Sequence, residues 1–308
     1  MGQQIWAVNS LGGFLANNEL SKKMRHAAQP LQKFRQFTSP IEAGGAGKGE
    51  FVLFDKISNI VTQGGTLTET SPIPRSNFTI QQGSLQILEY GNSIPYTLKS
   101  QVLSEVSISA QVEVVLRNDM AKVLDSAAAT QYTASDYKAT VTNTATTTFG
   151  TASAALATAG ANMSDKNVRD IIDRMKILNI PRFDGNNYIS ISSTNSIRGL
   201  YDFFEAKAEN TTMTPLMAGE VGTYYGCRFV EETNFLSNSL GSGTQYGEAV
   251  FFGDDAVKEG IALPEHLRID SLDFGRDQGV AWLAMLGFQK IWDFGDDGET
   301  RIIHVTSL

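Results

Sequence analysis

The feature that most constrains the fold is a long extended stretch, residues 50–96, with a proline-bearing tip at its middle. Apolar residues at Phe51 and Leu53 mark extended structure before the tip, and an alternating run over 79–96 follows it. The tip, 66–76, holds two of the chain's eight prolines. An isolated two-stranded hairpin is only marginally stable in water. We therefore predict a hairpin arm that becomes ordered when another subunit supplies the surface beneath it.

A helical stripe of apolar residues follows in 97–132, and it predicts one long helix. Its members share one face at helical spacing: Val112, Leu116, Met120, Val123, Leu124 and Ala127. The residues from Val106 to Val114 also alternate with period two, so a strand remains open for the first half. If 100–131 is entirely helical, it spans roughly 48 Å at ~1.5 Å per residue.

The Thr- and Ala-rich stretch within 133–162 has little apolar content and is interpreted as a surface insertion. An α/β region follows, with helices expected at 167–178, where Pro181 marks the end, and at 197–208. Strands are expected at 188–191, across 220–233 with a break at Gly226, and at 248–252, and a short helical turn after Gly253. Two C-terminal strands, 280–293 and 301–305, are expected to form a hairpin whose turn is Asp296-Asp297-Gly298.

Charge is distributed unevenly along the chain. The formal net charge is −8, yet the first 40 residues hold one acid and five bases, which are Lys22, Lys23, Arg25, Lys33 and Arg35. Residues 251–308 hold eleven acids and five bases. The basic arm could touch DNA, dock on an acidic surface of a neighbour, or remain a solvated tail. The overall acidity argues against nucleic-acid binding over the whole surface.

Segments that resemble catalytic or cofactor-binding motifs lack residues that those motifs require. In the segment GGAGKG, Glu42 stands where a phosphate loop needs its first glycine and Gly49 where it needs Ser or Thr. The segment DFGDDGE places Gly295 at the third ligand position of a calcium loop, where an oxygen ligand is needed. The three histidines lie far apart, and Cys227 is the only cysteine. We therefore expect a chain that is not an enzyme and has no cofactor, metal site, signal peptide or membrane span.

Several short phrases, in a fixed order, carry a resemblance to a known family. They are Leu67-Thr68-Glu69 before the tip, LEYG at 88–91, GTYYGCRFVEET at 222–233, FGDDA at 252–256, Gln278-Gly279 with Trp282, and Gly287-Phe288. Their order across about 240 residues resembles the α+β Hong Kong 97 (HK97-like) fold of tailed-bacteriophage major capsid proteins. Within that group the likeness is closest to the coat proteins of enquatrovirus-type podophages.

The resemblance implies a division of the chain into functional segments. It implies an N-terminal arm at 1–49, an extended hairpin (the E-loop) with flanking P-domain strands at 50–96, and a P-domain spine helix at 97–132. An α/β A-domain, 133–262, includes the insertion at 133–162, and 263–308 supplies returning strands. In this scheme Glu69 and Arg75, at the hairpin tip, are candidates for contacts between subunits, although they could equally be solvated charges.

The implied function is self-assembly into the pentamers and hexamers of an icosahedral phage head around double-stranded DNA. The protein would be made in the host bacterial cytoplasm and reside in the virion. Because only about 50 residues precede the hairpin, we expect any scaffolding protein to be a separate chain, alongside a portal and a decoration protein as further partners. We find no motif for Lys–Asn isopeptide bonds and expect non-covalent assembly. The alternatives are an encapsulin-like nanocompartment shell and another virion structural or binding protein.

Overall fold

A computed structural model gives the fold of this chain. The structure describes residues 28–42, 49–57, 64–70, 72–103, 107–151, 160–201, 220–236 and 247–307.

The described residues form strands and helices in an order typical of an α+β protein. The strands are β1 (Ser39–Glu42), β2 (Phe51–Ile57), β3 (Ile80–Gln86), β4 (Leu88–Thr97), β5 (Tyr137–Asn143), β6 (Thr146–Thr151), β7 (Tyr188–Ser193), β8 (Glu220–Tyr224), β9 (Cys227–Glu232), β10 (Gly247–Phe252), β11 (Val257–Leu272), β12 (Asp277–Lys290) and β13 (Ile302–Ser307). The helices are α1 (Leu98–Leu103), α2 (Ile108–Thr133), α3 (Asp165–Ile177), α4 (Thr194–Ile197) and α5 (Phe294–Asp297).

A four-stranded sheet supports the long helix α2. Its order is β1-β11-β12-β4, with β1 parallel to β11 and the other pairs antiparallel. The helix lies along β12 and β4 and buries Val112, Leu116 and Leu124. Trp282 of β12 is buried beneath it and donates a hydrogen bond from Nε1 to Asp119 at 3.0 Å. This helix-on-sheet layer forms the first hydrophobic core.

A mixed seven-stranded sheet forms the second layer, in the order β6-β5-β13-β10-β7-β9-β8. All six residues of β7 are buried. Alternate residues of the central strands face opposite sides, so Ile189 and Phe252 join the first core while Phe251 joins a second core beneath α3. Because both faces of this sheet are covered, β7 is buried at every residue, its serines included. The hydroxyl groups of Ser190 and Ser192 hydrogen-bond to each other at 2.9 Å.

Several of the predicted elements are confirmed. The helix predicted at 167–178 is α3, and it begins with a capping box in which the Ser164 and Asn167 side chains each bond to the other's backbone amide. The strand at 188–191 is β7, and the pair at 220–233 is β8 and β9, joined by a turn in which Gly226 has φ 79°. The helix predicted at 197–208 is confirmed only at its start, and from residue 202 onward it lies outside the described residues.

The long helix is confirmed in its second half and corrected in its first. Ser107 has an extended backbone, with φ −62° and ψ 104°, and α2 begins at Ile108. A single helix over 100–131 is therefore wrong, and α2 with its 26 residues spans about 39 Å. From Ile108 to Val114 the chain is helical, which excludes the strand that the period-two alternation left open.

The interpretation of 133–162 as a surface insertion is wrong for its described residues. β5 and β6 belong to the seven-stranded sheet, and Tyr137, Ala139 and Val141 are buried. Threonine suits strands because its side chain branches at Cβ. Its hydroxyls also find partners across strands, as between the Thr140 and Thr306 oxygens at 3.2 Å. A Thr-rich stretch can therefore enter a sheet with few large apolar residues.

Two turn predictions are also wrong. Asp296-Asp297-Gly298 does not close a hairpin, because β12 and β13 belong to different sheets and α5 lies between them. Asp293 caps α5 by accepting from the Gly295 amide at 3.1 Å, and Gly298 ends it with φ 70°. After Gly253 the chain turns and enters the 16-residue strand β11 instead of a helical turn.

Candidate assembly surfaces

The predicted hairpin exists as a separate two-stranded sheet, with β2 and β3 antiparallel from the Phe51–Gln86 pair to the Ile57–Ile80 pair. One face of this ribbon, defined here as the outer face, presents Phe51, Leu53, Ile57 and Ile80, each 55–61% exposed. Phe51 and Leu53 are neighbours on this face of β2, and beyond Asp55 the Ile57 side chain lies opposite Ile80 of β3. Exposed apolar side chains grouped on one face often mark a contact surface. The outer face is therefore a candidate contact surface.

The opposite face of the hairpin holds it to its own chain. Leu85 is fully buried, and the Lys56 ammonium lies 2.7 Å from a carboxylate oxygen of Asp297. Gly287 of β12 permits the close approach, because a Cβ there would lie 2.0 Å from the carbonyl oxygen of Gln86. The base of the hairpin is thus anchored while its outer face stays uncovered.

The tip carries the two residues proposed from the sequence as contacts between subunits. Glu69 and Arg75 are both exposed, and Leu67, Ile73 and Phe78 beside them are exposed apolar residues. The tip therefore combines both signs of charge with apolar surface. Whether Glu69 and Arg75 contact a neighbour stays a prediction.

The basic arm is described only in part, since Lys22, Lys23 and Arg25 lie outside the described residues. Lys33 is half-buried. Arg35 donates from both terminal guanidinium nitrogens to Glu265, at 3.0 and 3.1 Å, and from Nε to Glu259 at 3.0 Å. The hydrogen bond from Arg35 lowers the pKa of the Glu265 carboxyl. Arg35 thus binds an acidic surface of its own chain, and the DNA-facing role of all five bases stays a prediction.

A buried carboxylate on α2 fixes the same N-terminal segment. Asp125 Oδ1 accepts from the backbone amides of Phe34 and Arg35 at 2.8 and 3.1 Å. Burial raises the pKa of the Asp125 carboxyl despite these bonds. Phe34 packs against Tyr132, with ring centroids 5.5 Å apart, so the arm continues the first core.

A reactive site would need grouped metal ligands or an activated nucleophile. The described residues contain no group of three or more His, Cys, Asp or Glu side chains placed to hold a metal ion. Cys227 is buried, and burial raises the pKa of its thiol, which disfavours the nucleophilic thiolate. His266 is half-buried, and His304 is buried in β13. Among the helices that are described, none is long and apolar enough to span a bilayer.

Comparison with known proteins gives a match at the level of structure. No family model and no curated protein sequence matches the chain. A structure from Mycobacterium phage Che8 aligns with a TM-score of 0.66 at 13% identity, covering 94% of this chain and 96% of that one. The capsid of Ralstonia phage GP4 aligns at 0.65 and 14%, covering 99% and 98%. The head structure of Helicobacter pylori bacteriophage KHP40 aligns at 0.67 and 14%, covering 99% of both chains.

The chain has the Hong Kong 97 type capsid fold. The alignments run over nearly the full length of each chain, so the likeness extends over the whole fold and not over one part of it. The special likeness to enquatrovirus-type coat proteins receives no support from these alignments and stays a prediction, as does the division into five segments.

Sequence reasoning missed some residues of these surfaces. Asp125 stands beside the apolar stripe of α2, and a lone acid there could have indicated a buried partner. Glu259 and Glu265 gave no signal, because they lie more than 220 residues from Arg35 in the chain. Phe274 gave no signal in the sequence, because its exposure in the turn between β11 and β12 depends on the fold.

Proposed function

We propose that this chain is the major capsid protein of a tailed bacteriophage. Copies assemble non-covalently into pentamers and hexamers, and these close into an icosahedral head around double-stranded DNA. A separate scaffolding protein, a portal and a decoration protein are further partners, and the location is the virion. The basic arm, through Lys22, Lys23, Arg25, Lys33 and Arg35, is proposed to meet DNA phosphates without sequence preference.

The observation that carries this proposal is the uncovered outer face of the hairpin in a chain with a capsid fold. Burying a large apolar side chain contributes ~1.5–3 kcal/mol. Phe51, Leu53, Ile57 and Ile80 expose more than half of that surface in the isolated chain. A neighbouring copy that covers the outer face would gain this contribution at every repeat of the shell, which makes assembly favourable without any catalytic group.

Electron microscopy of the purified protein, alone and with the scaffold encoded beside it, tests the proposal. Closed shells, tubes or capsomer rings are the expected result. Discrete monomers or dimers in both samples would contradict it and return the chain to the class of binding modules.

The variant Leu53→Glu tests the hairpin's part in assembly. Leu53 is 61% exposed in the single chain, so the subunit should keep its circular dichroism spectrum and its unfolding midpoint. A carboxylate buried at the contact would lack a partner, and we expect closed shells to be lost. Leu53→Met, which keeps an apolar side chain of similar volume, is the matched control and should assemble. Normal shells from Leu53→Glu would exclude the outer face as a contact.

A further inference from the structure

The far end of the four-stranded sheet carries an aromatic side chain with no cover. Phe274 lies in the turn between the long strands β11 and β12 and is fully exposed, at 107% relative exposure. A free phenyl ring in water is unfavourable, and single-chain folding gives it no contact at this site. The position, at the end of a ribbon of 16- and 14-residue strands, projects the ring away from both cores.

The backbone holds this ring outward at a conformational cost. Asp273 and Phe274 both adopt left-handed φ angles, 47° and 53°, and Gly275 follows at 89°. Non-glycine residues in this region are strained, and such strain persists where surrounding contacts fix it. Here the Arg276 amide donates to the Asp273 carbonyl at 3.0 Å, and the Arg276 guanidinium pairs with the Asp273 carboxylate at 3.2 Å. The turn is therefore closed and specific, with Phe274 at its apex.

An apolar groove lies at the same end of the sheet. Leu98, Val102 and Leu103 of α1 line it, together with Arg276 and Asp277, and its open volume is about 620 Å³. All three apolar residues are exposed, with Leu103 among the most exposed large side chains described. The Leu98 amide donates to the Arg276 carbonyl at 2.8 Å, which ties the groove to the turn that carries Phe274.

The features of this end favour a second copy of the chain as the occupant of the groove. Phe274 does not fill the groove of its own chain, because its ring is uncovered. Since the Phe274 side chain and the groove lie at the same end of one chain, every copy carries both. Identical copies can therefore contact one another head to tail and close into a cyclic assembly. The rim carries both signs of charge, Lys99 and Arg276 with Asp273 and Asp277. Such a mixed rim complements another copy better than it would complement a polyanion or a lipid surface.

We propose that Phe274 of one subunit inserts into the groove lined by Leu98, Val102 and Leu103 of a neighbouring subunit. The inference rests on the proposed shell function and adds a second contact, separate from the outer face of the hairpin. It assigns the strained turn a role, which is to hold an apolar anchor in place before the subunits meet.

Cysteine cross-linking between two differently tagged chains tests the contact. Shells are assembled from a mixture of Phe274→Cys and Val102→Cys subunits and then oxidised mildly, and Cys227 adds little background because it is buried. The expected product is a reducible dimer containing both tags. The matched control mixes Phe274→Cys with Ile177→Cys, an equally exposed apolar position on α3, and should give little product.

Different results would contradict the Phe274 contact and the proposed shell function. Shells that form without the tag-mixed dimer, or with as much of it in the Ile177→Cys control, would overturn this contact alone. Unmodified protein that forms no shells with its scaffold would overturn the proposed function and this inference with it.

The variant Phe274→Gly separates a contact role from a structural one. Glycine tolerates the left-handed φ, so the isolated subunit should be as stable as the wild type or more so. Assembly should require on the order of tenfold more protein, because the anchor is lost. Phe274→Leu keeps an apolar anchor on the same strained backbone and should assemble at nearly the wild-type concentration. Equal assembly of Phe274→Gly and wild type would overturn the proposal.

Discussion

The buried carboxylate of Asp125 offers a direct test of how the segment containing Phe34 and Arg35 is attached to α2. The change Asp125→Ala removes the acceptor of two backbone amides, those of Phe34 and Arg35 at 2.8 and 3.1 Å. Phe34 is fully buried, so its amide cannot be hydrated in the folded state. An orphaned buried donor costs ~1–3 kcal/mol. The half-buried Arg35 should contribute less, since water can reach it.

The raised pKa of Asp125 reduces the stability that the alanine variant loses, and it makes the stability of the wild type depend on pH. Burial disfavours the ionised form, so alanine also removes a desolvated charge. This gain offsets part of the cost of the orphaned amides, and the net loss of stability should stay within ~1–3 kcal/mol. Because the folded-state pKa lies above the unfolded one, the folded protein binds the extra proton. The stabilisation that comes from this bound proton is therefore fully present below the unfolded-state pKa and is lost as pH rises through the folded-state pKa.

Urea unfolding of the unassembled subunit, followed by the fluorescence of buried Trp282, measures the effect. Asp125→Asn is the matched control, because its amide oxygen can still accept both bonds and it carries no charge. We expect the asparagine variant to lose less than about 1 kcal/mol in the free energy of unfolding. Its stability relative to the wild type should increase as pH rises, because only the wild type loses the stabilisation from the bound proton. An alanine variant as stable as the wild type, or an asparagine variant as unstable as alanine, would refute this account of the arm.

Two further predictions concern the packing of the hairpin and a buried histidine. Gly287→Ala places a Cβ 2.0 Å from the Gln86 carbonyl oxygen and should cost about 2–3 kcal/mol in urea unfolding. Gly279→Ala, whose Cβ would meet nothing closer than 3.7 Å, should cost under about 1 kcal/mol, and equal losses would contradict the close-approach argument. Burial lowers the pKa of His304, which faces Glu248 and Lys138. As pH falls, the unfolded chain therefore takes up a proton at this histidine before the folded protein does. The free energy of unfolding should then decrease below about pH 6.5. His304→Asn should show a smaller fall between pH 7.5 and 5 in unfolding midpoints, and an unchanged fall would assign the acid sensitivity to other groups.

Elements whose signals are local could be predicted from the sequence. The helix α3 carries its own capping residues and an apolar stripe, so its pattern needs no knowledge of the partner sheet. The hairpin of β2 and β3 could be predicted for a similar reason, because alternation and a proline-bearing tip specify strands and a reversal. The order of short phrases along the chain also indicated the capsid fold that the structural alignments bear out.

Elements that depend on distant partners could not be predicted in this way. β5 is buried because it pairs in parallel with β13, as in the register of Lys138 with His304, and its own Thr-rich sequence contains no sign of that partner. The C-terminal strands looked like a hairpin because they are neighbours in sequence, yet β12 and β13 pair with strands in different sheets.

The sequence by itself determined the elements whose signals are local, such as α3 and the hairpin of β2 and β3. Only the tertiary structure decided which side chains remain uncovered once both cores have formed. Exposure depends on every segment that packs nearby, so the outer face of the hairpin and the Phe274 ring became recognisable as contact surfaces only in the folded chain. Arg35 shows the same dependence, because folding brings Glu259 and Glu265 to it from more than 220 residues away.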